Sequence, residues 1–214
     1  MASPETIQTL ADLLDQLGGI SPDRVRFRPA PGMATEADAI DTQGQEGRVC
    51  ELIEGVLVEK AMGIRESILA AALIEVLRSF VTRQNLGLIT APDGLMRLAP
   101  RLVRAPNVAF ISWQRFPGRR VPVDPIPDIV ADLAVEILSA GNTNAEIARK
   151  RQEYFEAGVR LVWLVDPDQR TVEVFASDEP SATLGEGELL TGSDVLPGFE
   201  LSLRDYFAEL DRHG

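Results

Sequence analysis

The chain of 214 residues carries 33 acidic and 21 basic side chains, a net charge of −12, and 45% hydrophobic residues, enough to bury one full core. A single cysteine, Cys50, excludes an internal disulfide framework or zinc cluster, and a lone histidine, His213, argues against imidazole-based catalysis. The acidity argues against nonspecific nucleic-acid binding, and no apolar stretch has the length of a membrane span.

Ser3-Pro4-Glu5 reads as a helix start, and Ile7, Leu10, Leu13, Leu14 and Leu17 recur at helical spacing until Gly18-Gly19 ends the pattern. Met1 to Leu17 has no basic region followed by an apolar core, so no export signal is expected, and a cytoplasmic location is. Ser21 to Gly47, rich in Pro, Gly, Ala and acidic residues, reads as an arm that wraps the domain or a partner subunit, which makes 1–47 an N-terminal helix and arm and 48–214 the main domain. Val49–Ile53 and Val56–Glu59 around Glu54-Gly55 predict a hairpin. Glu66 to Arg83 has the wide apolar stripe of a helix laid on a sheet. Short strands are expected at 88–91, 95–99 and 108–112, then, after a Pro-rich loop, a strand over 133–138. Thr143-x-x-Glu146 opens a helix that ends at Gly158, Leu161–Val165 and Val172–Phe175 are further strands, and Leu203–Leu210 is a terminal helix. The order fits a mixed sheet with helices on its faces.

The chemical signal is concentrated in two residues. Glu136 interrupts the apolar run Leu133–Leu138, and a buried carboxylate requires a compensating partner. Lys150, in the following helix, is one of only two lysines beside 19 arginines, so a compact ammonium is retained there against the chain's general preference. An acid that binds a divalent cation and a lysine that steadies a phosphate or an attacking water make a metal-dependent phosphodiesterase site. Plain alternatives stay open: a surface pair of Lys150 with Glu146, and a structural ion pair of Glu136 with an arginine. The segment 61–120 holds nine basic and three acidic residues, and its arginines 97, 101, 104, 115, 119 and 120 are either scattered solvated charges or a phosphate-facing patch.

Taken together, Cys50-Glu51-Leu52-Ile53-Glu54-Gly55, Glu59-Lys60-x-Met62-Gly63, Arg104-Ala105-Pro106-Asn107-Val108, Leu133 to Ser139, Asn142-Thr143, Lys150-x-x-x-Tyr154 and Gly158-Val159-x-x-Val162-Trp163-x-Val165-Asp166-Pro167 resemble the Uma-two family of restriction-endonuclease-type proteins in the PD-(D/E)XK nuclease superfamily. The resemblance runs from about Ser21 to Phe207 and implies an α/β, restriction-endonuclease-like core: a mixed β-sheet flanked by helices, with the N-terminal helix and arm added. It implies Mg²⁺ or Mn²⁺ as cofactor and DNA as partner. Its roles map Glu136 onto the second metal-binding acid, Lys150 onto the catalytic lysine displaced from the strand to the helix, and Glu51 onto a third position that completes the site. The alternative for Glu51 is an ion pair with Arg48 or Arg104. The family's first metal-binding aspartate is Asn107 here, an amide that offers a carbonyl oxygen but no charge. Asp132 is too far along its strand to share an ion with Glu136, and Glu66 is a substitute ligand or a first-turn acid favoured by the helix dipole. Catalytic candidates are thus Glu136, Lys150, Asn107 and Glu51, and metal candidates Asn107, Glu136 and Glu51. Asn107 leaves open an inactive homologue, a weakened enzyme or a deliberately disabled site. The functions in competition are a metal-dependent DNA endonuclease and an inactive nuclease-fold module that binds nucleic acid or a protein. Twofold pairing is expected in either case, because double-strand cutting and arm exchange both favour it.

Overall fold

The computed structural model describes residues 7–177 and 179–213. Its elements, in chain order, are α1 (Leu10–Gln16), α2 (Glu36–Glu46), β1 (Cys50–Ile53), β2 (Val56–Glu59), α3 (Ile64–Gln84), β3 (Gly87–Thr90), β4 (Met96–Ala99), β5 (Leu102–Arg104), β6 (Val108–Ser112), β7 (Leu133–Ile137), α4 (Asn144–Ala157), β8 (Leu161–Asp166), β9 (Thr171–Phe175), β10 (Pro180–Gly185), β11 (Leu189–Gly192), β12 (Leu196–Ser202) and α5 (Leu203–Phe207). The described residues form three sheets: β2-β1-β5-β4, β10-β9-β8-β7-β6-β3 and the ribbon β11-β12. Among the described residues only β7 and β8 run parallel, joined by the crossover helix α4. This is the expected mixed α/β architecture.

Strand alternation assigns the two faces of the large sheet. Leu133, Val135 and Ile137 of β7 and Leu161, Trp163 and Val165 of β8 point to the main core, against Leu69, Leu73 and Leu77 of α3 and Phe199 and Phe207 of the C-terminal elements. Ala134, Val162 and Leu164 point the other way, onto Ile147 and Tyr154 of α4. Glu136 shares the Ala134 face by the same alternation, so the sequence register itself delivers its carboxylate under α4.

The hairpin forms as expected, with Ile53 opposite Val56. Glu54 and Gly55 both have positive φ, 52° and 86°, the signature of a two-residue type I′ turn. A Cβ at Gly55 would come within 2.6 Å of the Gly32 carbonyl, so the arm closes over the turn. The arm also bridges Val25 to Val58, and part of it is helical: α2 starts from Thr35 with Asp38 returning to the Thr35 N–H, and packs on β1. Weak apolar periodicity concealed that helix, because only Ala39 and Thr42 are buried along it. Helix α1 starts at Thr9, whose side chain caps Asp12, and the Ser3-Pro4-Glu5 start lies outside the described residues. Strands β5, β10, β11 and β12 were not expected: β5 has three residues, and β10 is exposed or half-buried throughout, so neither offers a clear apolar pattern.

Candidate active site

The chain passes from β5 in the four-stranded sheet to β6 in the six-stranded sheet through Ala105, Pro106 and Asn107. At that crossing the two sheets and α4 meet. Glu146, Lys150, Glu153 and Tyr154 fall at successive spacings of four, three and one on α4, on one side of the helix, and all four are buried.

The charged side chains form one connected cluster. Glu51 is fully buried; its Oε1 accepts from the Ala105 N–H at 3.2 Å and lies 3.0 Å from Lys150 Nζ, while its Oε2 accepts from Arg104 at 2.7 Å. Burial pushes the Glu51 carboxyl up, but the Lys150 ammonium, the Arg104 guanidinium and Lys60 outweigh it and hold the group well below the usual carboxylate range. Arg104 also pairs with Glu153 at 2.6 Å. The second Glu136 oxygen, Oε2, stands 3.7 Å from Lys150 Nζ, and Oε1 accepts a 2.5 Å hydrogen bond from Tyr154. Burial and the charges of Glu136 and Glu51 hold the Tyr154 phenol well above its ordinary value, so it serves as donor. Lys150 loses by burial but gains more from Glu136 and Glu51, and its ammonium is held above the ordinary lysine value.

These contacts decide between the readings left open by the sequence. Lys150 is 2% exposed and is no surface partner of Glu146. Glu146 instead turns inward to a bidentate pair with Arg24, at 2.9 and 2.7 Å, and accepts from Asn142 at 3.0 Å. Thr143 still caps the Glu146 N–H at 3.0 Å, but the return arm of the expected capping box is spent on the cluster. Glu51 takes Arg104 rather than Arg48, which goes to Glu59. Asp132 accepts from the Ser112 N–H and Arg115, and Glu66 accepts from the Gly63 N–H, so neither joins the group. Of the arginines in the basic segment, Arg97 pairs with Glu36, Arg101 donates to the carbonyls of Gly32 and Glu54, Arg104 is buried and Arg115 holds Asp132. Arg119 and Arg120 are exposed.

Asn107 is buried beside Glu136 in the adjoining strand. Its N–H donates to the Val135 carbonyl at 2.8 Å and its Oδ1 accepts from the Ile137 N–H at 3.0 Å. Its Nδ2 is buried with no hydrogen-bond partner among the described residues, a cost of about 1–3 kcal/mol for an unmade bond.

Sequence reasoning missed Lys60. Its Nζ donates to the carbonyls of Ala105 and Pro92. Burial lowers its pKa to about 8, with Glu136 the strongest charge acting in the opposite sense. The signal was present: the scarcity of lysine that singled out Lys150 applies equally to Lys60. Tyr154, quoted within a motif but given no role, holds Glu136 and was findable as the residue one helical turn after Lys150.

The side chains present do not fit a divalent cation. Mg²⁺ takes six oxygen ligands with carboxylates supplying most of the attraction. Here both Glu51 oxygens face cations, one Glu136 oxygen is taken by Tyr154, the Asn107 carbonyl oxygen is spent on Ile137, and the remaining Asn107 atom is a donor. Four carboxylates, at 51, 136, 146 and 153, are ion-paired with Arg24, Arg104, Arg149 and Lys150, and the Lys60 charge acts on the same group, which leaves no excess negative charge for an ion to neutralise. Among the described residues no group of three or more His, Cys, Asp or Glu is placed to hold a metal.

Among solved structures, a "putative nuclease belonging to DUF820" from Anabaena variabilis superposes with a TM-score of 0.66 at 22% identity, over 77% of this chain and 92% of that one, which establishes a common fold. No curated protein matches the chain. A family model described as "Putative restriction endonuclease" matches residues 36–204, a span that includes α2, both large sheets and the whole charged cluster apart from Arg24. The chain belongs to that family, Uma2.

Proposed function

We propose that this protein is a DNA-directed, nuclease-type member of its family in which divalent-metal hydrolysis of the phosphodiester is silenced at Asn107. Family membership supports the reaction class and the substrate, and the meeting of Glu51, Glu136 and Lys150 supports the location. The observation that carries the proposal is the state of Asn107: its only ligand-type oxygen accepts from the Ile137 N–H, and the rest of the side chain is an unpartnered amide nitrogen. An aspartate there would keep the Ile137 bond with one oxygen and turn a second, charged oxygen to where the amide now points. A metal ion acting as Lewis acid supplies several kcal/mol of transition-state stabilisation, so regaining even part of it is worth on the order of 10²-fold in rate.

The test is nicking of supercoiled plasmid in Mg²⁺ or Mn²⁺. The protein as it stands should cleave no faster than Glu136→Gln. Asn107→Asp should cleave on the order of 10²-fold faster, a gain abolished in Asn107→Asp/Glu136→Gln. Wild-type cleavage well above that of Glu136→Gln, or a revertant no better than wild type, would overturn the proposal.

A further inference from the structure

We infer that the cleft between α4 and the turn joining β8 to β9 reads an unstacked guanine base, with Arg151 and Glu173 as its two recognition groups. The inference rests on the proposed function only in taking DNA as the partner. Helix α4 has two working sides. Glu146, Lys150, Glu153 and Tyr154 turn to the charged cluster, whereas Asn144, Ile147, Ala148 and Arg151, at spacings of three, one and three, line a cleft of about 510 Å³. That volume falls in the range of small-molecule sites, about 300–1,000 Å³. Leu138, Ile147 and Leu164 give the cleft apolar surface, and β9 contributes Glu173. The register sets Glu136, Leu164 and Glu173 in one row across β7, β8 and β9, so cleft and cluster share one face of the sheet.

Two charges that line the cleft are unspent. Arg151 is half-buried, its guanidinium carbon lies 4.4 Å from the centroid of the Phe175 ring, and its buried Nε has no hydrogen-bond partner among the described residues. Glu173, also half-buried, stands two residues before Phe175 on the same side of β9. Among the described residues neither Arg151 nor Glu173 takes part in an ion pair, with each other or with any third group. The other acids of the cleft are committed: Asp166 Oδ1 accepts from the N–H groups of Asp168 and Gln169, and Asp168 pairs with Arg65 at 2.6 Å. A guanidinium seated on an aromatic ring, beside an unspent carboxylate, matches a planar ligand that presents acceptors and donors on adjoining edges. Guanine is such a ligand. Its O6 and N7 take the fork of an arginine, and its N1–H and N2 amino group donate to a carboxylate. The apolar side chains then cover the face of a base taken out of its stack. Adenine carries a donor where guanine has O6, and so meets Arg151 donor against donor. A bare phosphate is disfavoured as the anchor, because Asp166, Asp168 and Glu173 line the same cleft as Arg151.

Calorimetric titration of the full chain at pH 7 with the four deoxynucleoside 5′-monophosphates, and with deoxyribose 5-phosphate as a base-free control, tests this. The guanine nucleotide should bind about tenfold or more tightly than the adenine nucleotide, and deoxyribose 5-phosphate should give no measurable heat. Glu173→Gln keeps the shape and loses the charge; Arg151→Lys keeps the charge and loses the fork. Each should weaken the guanine nucleotide about tenfold or more, with Glu173→Ala and Arg151→Met as replacements if either variant does not fold. Equal affinity for the four nucleotides, binding of deoxyribose 5-phosphate as tight as that of the guanine nucleotide, no guanine-nucleotide binding at millimolar concentration, or an unchanged affinity in either folded variant overturns the inference. The two proposals fail separately: a cleaving wild type removes the silenced-site reading whatever the titration shows, and absent guanine-nucleotide binding removes the base-reading cleft even if Asn107→Asp cuts DNA.

Discussion

At the residue scale, Lys150 has the largest structural consequence. Removing its ammonium leaves Glu51 with Arg104 and the Ala105 N–H, and Glu136 with the Tyr154 hydroxyl, all in a buried setting. Breaking a buried pair at one partner costs about 3–5 kcal/mol, whereas replacing both by apolar groups costs less. Lys150→Met should therefore lower stability in urea denaturation by about that amount, and Glu51→Gln/Lys150→Met should cost clearly less than the two single changes summed. The need of Glu136 for a partner was legible, because an acid in the middle of an apolar strand is carried into the interior with its neighbours and must be neutralised there. Its choice of Tyr154 and Lys150 over any arginine was not legible, since that depends on how α4 rolls onto the sheet.

At the scale of elements, α4 is positioned from outside itself. Gly18, at φ +91°, lies against its first turn so closely that a Cβ would stand 2.7 Å from the Glu146 N and 2.8 Å from its Cα, and Thr143 donates to the Gly18 carbonyl at 2.5 Å. Gly18 ends α1, so the N-terminal helix fixes the start of the helix that carries Lys150. Gly18→Ala is expected to cost about 1–3 kcal/mol from the left-handed backbone, and more because the opposing atoms are main chain. Thermal unfolding should show the loss, whereas Gly19→Ala, also at positive φ but with open space around it, should show the backbone cost alone. The sequence marked both glycines as a helix stop; that Gly18 also touches α4 is a tertiary fact.

At the scale of the whole molecule, the buried cluster couples stability to pH. Glu51 has a folded-state pKa below its unfolded value, so its contribution is fully present above the unfolded value, about 4.3, and is lost as pH falls below it. Urea unfolding followed from pH 7 to pH 3 should show a steep decline below about pH 4.5, and Glu51→Gln should flatten the part of that slope due to this residue. On the alkaline side Lys60 acts with the opposite sense to a paired lysine. Its folded value of about 8 lies below the unfolded one, so the unfolded chain holds the extra proton and stability gains as pH rises past 8. Cys50, pushed up to about 11 mainly by burial, opposes that gain once an unfolded thiol begins to ionise.

The amino-acid sequence by itself determined the local features: the type I′ hairpin at Glu54-Gly55, the apolar stripe of α3, the Thr143 cap, and the period-two register that puts Glu136 on the face beneath α4. These depend on residues a few positions apart, where propensity and periodicity act directly. Only the tertiary structure decided which charges meet. Lys60, Glu51, Arg104, Asn107, Glu136 and Lys150 come from two sheets, the segments at their strand ends and a crossover helix, and burial makes each charge depend on its neighbours, a many-body balance that spacing along the chain does not encode.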